Sequence, residues 1–357
     1  MRAKIRYSLE LAKILKKKCT FALNMAKQRI EYIDAMRGLT MILVVYSHIC
    51  SFCLGDKDLG FNNVLVLFRM PCFFFISGWL FEQVGRQWSS VSIRNTVRHK
   101  FMVQIVPTVI FLFLLAPPPL FFSRLGMTKG GYWFTFALFE FFVLCIFSER
   151  CLKKWGGVFA LVISVSAYCY DVCYNRFFKD FGLMTDILGF LSFATWQYYL
   201  FFYIGTWVKL HFDTFITWTN KVWVILVTAI VFILIALNPQ SEDAFSQYLI
   251  FSIGGITGII LVFTTFRCFS SQISHFSFLR FIGTRTLDIY LLHYFFLPRF
   301  LLQYAPQLIV YDSRWLELLV GLAIALAVVG ICLFVSYVIR LSPFLGHYLF
   351  GVKYERK

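Results

Sequence analysis

Residues 37–48 read RGLTMILVVYSH, and this apolar stretch begins with one ionisable side chain, Arg37, and ends with another, His48. An α-helix turns about 100° per residue, so eleven steps bring His48 to within roughly 20° of the Arg37 face. The rise between them is roughly 16 Å, about half of the hydrocarbon thickness of a bilayer. Ionisable residues at that depth are costly and tend to be functional. A hydrogen-bonded contact between helices remains an alternative for His48.

The composition around this stretch is that of a membrane protein. Of the 357 residues, 59% are hydrophobic and 15% are charged, and the mean hydropathy is +0.73. Repeated apolar runs of about 20 residues indicate transmembrane helices. We therefore expect an all-α fold, a polytopic transmembrane helical bundle. The ten predicted spans are 36–54, 62–82, 101–122, 132–148, 155–174, 192–209, 221–237, 245–266, 286–303 and 315–340.

The distribution of charge in the loops predicts the orientation of these spans. Basic residues are concentrated before the first span, after the last span and in alternate loops, whereas the opposite loops are poorer in charge or acidic. By the positive-inside rule both termini are cytoplasmic, which agrees with an even number of spans. The same distribution argues against nucleic acid as the partner of a chain whose net charge is +16. We expect an integral, multi-pass protein of the plasma (bacterial inner) membrane.

Three segments follow from this reading. Residues 1–29 are a basic segment that resembles an amphipathic helix lying on an anionic cytoplasmic leaflet. A disordered tail that only enforces topology is an equal alternative. Residues 30–352 form the transmembrane domain, and residues 353–357 form a basic tail.

Motifs of soluble enzymes are missing from the sequence. There is no G-x-S-x-G, no Walker A and no G-x-G-x-x-G pattern, and no Cys/His spacing suits zinc. Hydrolase, NTPase and dinucleotide-binding readings therefore lack support, and we expect no metal.

The second predicted span carries another charge at membrane depth. Residues 68–79 read FRMPCFFFISGW, with Arg69 near the start and Ser77 next to a glycine near the end. Arg69 must face the protein interior, a water-filled cavity or an anionic ligand. A structural ion pair with Glu140 is the competing interpretation. Ser77 and its glycine neighbour permit close approach of another helix.

Taken in order, several segments resemble the acyltransferase-3 family of integral membrane acyltransferases. Arg37 through His48 is similar to its basic-residue-x10-His motif, and Phe68 through Gly78 is similar to its second-span signature. Later segments that resemble the family are Arg94–Lys100, Trp133–Phe134, Phe202–Gly205, Gly283–His293, Leu341–Pro343 and Leu349–Gly351. The branch with the greatest resemblance contains surface-polysaccharide O-acetyltransferases and fucose-4-O-acetylase-like proteins. Relatives in this branch often have His where this chain has Arg69, so a proton-relay role is not carried over to that position.

The resemblance implies transfer of an acyl group, usually acetyl from cytoplasmic acetyl-CoA, to a hydroxyl of a glycan or glycolipid. A sugar hydroxyl needs a base, so we expect His48 to activate the acceptor or to carry the acyl group as an acyl-imidazole. The basic residues expected to bind the phosphates of the acyl-CoA are Arg37, Arg94, Arg98 and Lys100, and Arg37 is also a candidate catalytic residue beside His48. As a permanent cation, Arg69 is expected to bind charge in the same donor site.

The other candidate residues have both functional and structural interpretations. Glu140 is a candidate catalytic carboxylate that either pairs with Arg69 or Arg37 or binds sugar hydroxyls. Tyr290 and His293 lie three residues apart on one helical face and are candidates for the acceptor site. Ser77 is a candidate donor to the acyl carbonyl. For His293 and Ser77, ordinary packing between helices is the alternative.

A transporter or flippase for a lipid-linked glycan is the competing function, because ten spans and buried charges also suit transport. The sequence shows no repeat of its two halves, which many transporters have. The motif set around His48 also favours an enzyme.

Overall fold

The computed structural model describes residues 30–55, 58–116, 129–177, 187–238, 241, 243–273, 277–305 and 313–352. Within these ranges every regular element is helical, which confirms the predicted all-α class. The basic segment 1–29 and the tail 353–357 lie outside the described residues, so both assignments stay predictions.

The α-helices are numbered in chain order. They are α1 (Glu31–Phe52), α2 (Asn62–Phe81), α3 (Ser90–Lys100), α4 (Val106–Leu115), α5 (Trp133–Phe147), α6 (Gly156–Phe177), α7 (Tyr199–Leu210), α8 (Phe212–Thr219), α9 (Val222–Leu237), α10 (Ala244–Cys268), α11 (Ser270–Ile273), α12 (Ser277–Thr284), α13 (Thr286–Phe296), α14 (Arg314–Arg340) and α15 (Pro343–Phe350). A π-helical turn, Phe101–Ile105, joins α3 to α4, and another, Ser148–Leu152, follows α5. Short 3₁₀ segments are Lys129–Gly131, Lys153–Trp155, Phe193–Tyr198 and Arg299–Tyr304.

Five helices among the described residues are long and apolar enough to cross a membrane. They are Glu31–Phe52, Asn62–Phe81, Ser90–Leu115, Phe245–Cys268 and Arg314–Arg340. The pair α8 and α9, bent by 80°, makes a sixth if it is counted as one broken span. The chain is thus a helical membrane protein.

Each of the other four predicted spans also coincides with a helix. Three of these helices are short, with 15 residues in α5, 12 in α7 and 11 in α13. The fourth, α6, has 22 residues and is not among the five. The number ten and the cytoplasmic termini therefore stay predictions.

Helix α1 lies at the centre of the bundle. In its most apolar window 72% of the residues are buried inside the protein, compared with 28% for α14. It packs against α12, α14 and α2. A helix enclosed in this way presents its polar side chains to other protein groups and not to lipid.

Helices α1 and α12 cross at backbone distance through two glycines. A Cβ on Gly38 would lie 2.1 Å from the carbonyl oxygen of Leu279, and one on Gly283 would lie 1.8 Å from that of Asp34. Small residues permit such approach in membranes, where packing and not hydrophobic exclusion joins helices. The crossing holds the start of α1, and with it Arg37, against α12.

Helices α2 and α7 cross in the same manner. A Cβ on Gly78 would lie 1.9 Å from the carbonyl oxygen of Phe202, and one on Gly205 would lie 2.0 Å from that of Phe75. This contact confirms the close helix approach expected from Ser77 and its neighbouring glycine.

Helix α13 is fixed to α14 by a buried ion pair. The Asp288 carboxylate accepts hydrogen bonds from Arg340 Nε at 2.8 Å and Nη2 at 2.9 Å, and it also accepts one from the Ser336 hydroxyl. Paired charge-assisted bonds of this kind give a defined geometry. They set the position of the residues that α13 presents to α1.

Candidate active site

His48 lies in a cluster of aromatic side chains formed by α1 and α13. Its ring centroid is 5.1 Å from that of His293 and 5.2 Å from that of Tyr294. Its Nε2 atom is 3.4 Å from the Tyr294 hydroxyl. The structure thus brings two of the residues predicted from sequence, His48 and His293, into stacking contact.

The 3₁₀ segment Lys129–Gly131 completes this cluster in a backbone conformation that favours glycine. The φ angles are 49° at Lys129, 56° at Gly130 and 92° at Gly131. Residues other than glycine rarely adopt a positive φ, and Lys129 does so here. Backbone strain of this kind is concentrated at functional sites. The Lys129 side chain is buried and donates a hydrogen bond to the Phe190 carbonyl oxygen at 2.6 Å, which holds the segment in place.

Gly131 links this segment to the two tyrosines of α13. Its carbonyl oxygen accepts from the Tyr290 hydroxyl at 3.1 Å and from the Tyr294 hydroxyl at 3.2 Å. A Cβ on Gly131 would lie 2.7 Å from the Tyr294 ring. The sequence reading did not identify Gly131 or Tyr294. The two adjacent glycines before α5 and the tyrosine next to His293 were the available signals.

Tyr290 has a structural role in addition to its place beside the site. Its hydroxyl also accepts a hydrogen bond from the backbone N–H of Phe134 at 3.2 Å, so it joins α13 to the start of α5. A contact between Tyr290 and an acceptor substrate stays a prediction.

The hydrogen bonds of His293 define which of its nitrogens carries the proton. Nδ1 lies 2.7 Å from the Tyr290 carbonyl oxygen and 3.2 Å from that of Ile289. Both partners are acceptors only, so Nδ1 carries the hydrogen and Nε2 is left with a lone pair. Nε2 is fully buried and has no hydrogen-bond partner among the described residues. Buried acceptors without partners are rare, which points to a role in binding or proton transfer.

A small cavity borders the part of this α1 face between Met41 and His48, and Arg37 is not among its lining residues. Its volume is about 20 Å³, and α1 lines it with Met41, Val44 and His48. At 100° per residue, Met41 and Val44 lie within roughly 40° of the Arg37 direction. The cavity has room for about one water molecule. Phe73 and Phe134 close its sides.

Three cations lie close together where α1 begins and α2 ends. Lys100 is within electrostatic range of both Arg37 and Arg86. The Lys100 ammonium lies 4.2 Å from the centre of the Phe142 ring, and the Arg86 guanidinium lies 4.8 Å from that of Trp88. We call Arg37, Arg86 and Lys100 the cation cluster. Arg86 was not predicted as a site residue.

The other two predicted phosphate ligands lie in a separate open groove. Arg94 and Arg98 line it together with Arg150, and its volume is about 550 Å³. We call these three residues the basic groove. The set predicted from sequence therefore divides in two, and each part gains an arginine from a neighbouring segment.

Glu140 and Ser77 have partners other than those considered from sequence. Glu140 accepts a hydrogen bond from Trp196 Nε1 at 2.7 Å and lies within electrostatic range of Lys129. It forms no ion pair with Arg69 or Arg37. The Ser77 hydroxyl donates to the Phe73 carbonyl oxygen of its own helix at 2.8 Å. A direct role in chemistry for either residue stays a prediction.

Two carboxyl groups meet beside the cation cluster. Glu82, directly after α2, is buried, and its side chain hydrogen-bonds to that of Glu149. Glu149 also accepts hydrogen bonds from Trp88 Nε1 and, at 3.2 Å, from Cys145 Sγ. Burial, the hydrogen bond to Glu149 and the charge of Glu149 raise the pKa of Glu82 to about 8.

Replacing Glu82 with glutamine should remove a pH-dependent loss of stability. The folded pKa of about 8 lies above the unfolded value of about 4.3. The folded wild-type protein therefore binds the extra proton between these values, and its stability falls as pH rises through that window. Glutamine stays neutral and keeps a hydrogen-bond donor for Glu149. In nanodiscs, the Glu82→Gln protein should melt on the order of a few degrees higher than wild type near pH 8. The difference should shrink near pH 5.

The exposed carboxylate Asp213 provides the control for this comparison. Asp213→Asn should shift the melting temperature by a similar small amount at both pH values. An equal shift for Glu82→Gln at both pH values would show that Glu82 is already ionised in the folded protein.

Within the ranges that the structure describes, no group of three His, Cys, Asp or Glu side chains is placed to hold a metal ion.

The family model described as "Acyltransferase domain" (Acyl_transf_3) matches residues 30–339. The match covers α1, α13 and nearly all of α14, and so includes the His48 cluster and the cation cluster. No curated protein and no solved structure matches the chain. Because the family model matches well over half of the sequence, the chain belongs to the acyltransferase-3 family and is a membrane acyltransferase.

Proposed function

We propose that this protein transfers an acyl group, acetyl in the simplest case, from cytoplasmic acyl-CoA to a hydroxyl of a cell-surface glycan or glycolipid precursor. One observation carries the proposal. Arg37 and His48 share one face of the buried helix α1, and a small cavity borders the His48 half of that face. This arrangement suits a donor that is anchored by its phosphates at one end and reacts at the other.

The cation cluster is the proposed phosphate site. CoA carries several phosphate groups, and Arg37, Arg86 and Lys100 place three positive charges at the start of the α1 face. Guanidinium groups match phosphate oxygens in geometry, and a lysine adds a point charge. The basic groove offers a second place for phosphate, nearer the surface.

His48 is the proposed base. It takes the proton of the acceptor hydroxyl while the new C–O bond forms, and the C–S bond of the thioester then breaks. The leaving thiolate receives the proton from the imidazolium, so the reaction is balanced. In the alternative route the acyl group first forms a C–N bond with His48 as the C–S bond of the thioester breaks and the thiolate leaves. The acceptor hydroxyl then attacks the acyl-imidazole, so that the C–O bond forms, the C–N bond breaks and the hydroxyl proton passes to the departing imidazole.

Tyr294 and His293 position the His48 ring. If both tyrosine hydroxyls donate to the two lone pairs of the Gly131 carbonyl, Tyr294 Oη is free to accept from His48 Nε2. Nδ1 of His48 then carries the lone pair that takes the proton. The ring of His293 stacks on that of His48, and its bare Nε2 can accept a hydrogen bond from the substrate hydroxyl or from a water molecule.

Replacing Lys100 with alanine should weaken binding of acyl-CoA more than it slows chemistry. Loss of one charge-assisted phosphate contact costs about 1.5–3 kcal/mol, or about 10- to 100-fold in affinity. We therefore expect KM for acetyl-CoA to rise by that factor with a smaller change in kcat. The measurement is release of acetate, and label transfer to added acceptor, from acetyl-CoA radiolabelled in its acetyl group, with protein in nanodiscs.

Lys221 provides a matched control, because it is an exposed lysine directly before α9 and outside the cation cluster. Lys221→Ala should leave KM unchanged. An unchanged KM for acetyl-CoA in Lys100→Ala would show that the cation cluster does not bind the phosphates. Failure of wild-type protein to consume any acyl-CoA would contradict the proposed donor.

The glycan acceptor and the plasma-membrane location rest on the family resemblance and the charge pattern of the loops. Membership in an acyltransferase family favours the enzyme over the transporter alternative. Movement of a lipid-linked glycan without an acyl donor would reverse that preference.

A further inference from the structure

Arg69 is a cation at membrane depth that has an amide and not a carboxylate as its partner. It lies in the first half of α2, and its Nη1 donates to Asn62 Oδ1 at 2.9 Å. Among the described residues no Asp or Glu oxygen lies within 4.0 Å of its guanidinium. An amide oxygen supplies a hydrogen bond but leaves the positive charge uncompensated.

Three acidic residues that the structure describes inside the bundle are already engaged elsewhere. Glu140 bonds to Trp196, Asp288 pairs with Arg340, and Glu82 bonds to Glu149. Buried charges are normally paired, because transfer of an isolated charge out of water is costly. An arginine does not escape this cost by losing its proton. Retaining Arg69 thus favours an anion that arrives with a substrate.

The position of Arg69 places that anion at the reaction centre. Arg69 lies within electrostatic range of His48. The next residue, Met70, lines the cavity that also touches His48 and Tyr290. The cation cluster, in contrast, is roughly 16 Å along α1 from His48. The phosphates of CoA bound at the cation cluster would be too far away to be the partner of Arg69.

We propose that Arg69 binds a carboxylate or similar anionic group carried by one of the two substrates close to the reacting carbon. The inference rests on the proposed function. Two sources fit: a dicarboxylic acyl group such as succinyl, whose free carboxylate lies a few bonds from the thioester, or an acidic sugar in the acceptor. In either case Arg69 selects an anionic substrate over its neutral analogue.

The first test compares donors in the wild-type protein and the Arg69→Gln variant. The measured quantity is the ratio of kcat/KM for succinyl-CoA to that for acetyl-CoA, from thiol release in nanodiscs. If the acyl group carries the anion, this ratio should fall by about 10- to 100-fold in Arg69→Gln, the value of a charge-assisted contact. A ratio unchanged by the substitution assigns the anion to the acceptor or contradicts the proposal.

The second test distinguishes an anion on the acceptor from a failed proposal, and it does not depend on turnover. The melting temperature is measured with sodium glucuronate or sodium succinate, each against its neutral counterpart, glucose or succinamide. A stabilisation by glucuronate that is present in wild type and lost in Arg69→Gln assigns the anion to the acceptor. Equal responses of the two proteins to all four compounds, together with an unchanged donor ratio, overturn the proposal.

Asn62→Asp is the second variant, and it keeps Arg69 in place. A carboxylate at position 62 would lie where the amide oxygen now accepts from Arg69 and would neutralise it internally. We expect a higher melting temperature and loss of the anion responses. Both Arg69→Gln and Asn62→Asp should therefore lose the preference for anionic substrates, but only Asn62→Asp should have a raised melting temperature. If Arg69 instead stabilises the reacting oxyanion or only packs the bundle, both donors should slow equally and the ratio should stay constant.

The two proposals fail in different ways. Absence of thiol release from every acyl-CoA contradicts the proposed function, and the melting experiments then still test Arg69. If the rate of thiol release does not depend on the charge of the acyl group, and glucuronate does not change the melting temperature, only the role of Arg69 is contradicted.

Discussion

Replacing His48 with alanine is expected to lower the rate of acyl transfer by about 10²- to 10⁴-fold, the usual contribution of a positioned general base. His48 is the titratable side chain that lines the cavity on the α1 face, and neither His293 nor Tyr294 occupies its place on α1. The fold should survive, because the side-chain contacts of His48 are ring stacking and one long hydrogen bond to Tyr294. The measurement is transfer of radiolabel from acetyl-CoA, with the melting temperature recorded on the same preparation.

His211 is the matched histidine for this experiment. It is exposed where α7 meets α8, and its ring Nδ1 contacts only the Trp207 carbonyl oxygen among polar groups described. His211→Ala should retain full transfer. A normal rate of acyl transfer in His48→Ala would show that His48 is not the general base. Label retained on wild-type protein but not on His48→Ala would favour the acyl-imidazole route over general-base catalysis.

Replacing Gly283 with alanine is expected to cause the largest loss of stability. The new Cβ would lie 1.8 Å from the carbonyl oxygen of Asp34, and both groups belong to helix backbones. Neither can rotate away, so α1 and α12 must separate by more than 1 Å to reach ordinary contact. Overpacking usually costs about 1–3 kcal/mol, and a clash between backbones should reach or exceed the upper end of this range. The melting temperature in nanodiscs measures the effect.

Gly330 provides the control for this substitution. It lies on the exposed face of α14, where a Cβ would meet nothing within 4 Å. Gly330→Ala should be neutral or slightly stabilising, because alanine favours a helix by about 1 kcal/mol over glycine. Gly38→Ala should resemble Gly283→Ala, and the double variant should cost less than the sum because both act at one crossing. Equal melting temperatures for Gly283→Ala and Gly330→Ala would show that the crossing is not close.

Sequence reasoning was most successful where a local rule was sufficient. Helical periodicity alone placed Arg37 and His48 on one face of α1, and α1 is a continuous helix from Glu31 to Phe52, as that argument requires. The three-residue spacing of Tyr290 and His293 placed both on one face of α13, and in the structure that face lies toward His48. The all-α class followed from composition.

The rest depended on which helices become neighbours, and periodicity does not contain that information. Nothing local to Arg86 shows that it meets Lys100, because they lie on different segments joined by a turn. Charge alone suggests a pairing of Glu140 with Arg69 or Arg37 as one alternative, whereas the fold places Trp196 beside it. Gly131 contributes its backbone carbonyl oxygen, and every residue type has one, so the residue type does not reveal this role. The ten spans relied on apolar length, and the shorter α5, α7 and α13 show the limit of that criterion.

The cavity of about 20 Å³ has a consequence for the membrane as a permeability barrier. A water-filled route from the cation cluster to His48 would also be a route for protons and ions. A continuous column of water along it would discharge the membrane potential. The side chains of Phe73 and Phe134 leave space for about one water molecule, which interrupts such a column. If the proposed donor reaches His48 along this face, it must displace these rings as it enters.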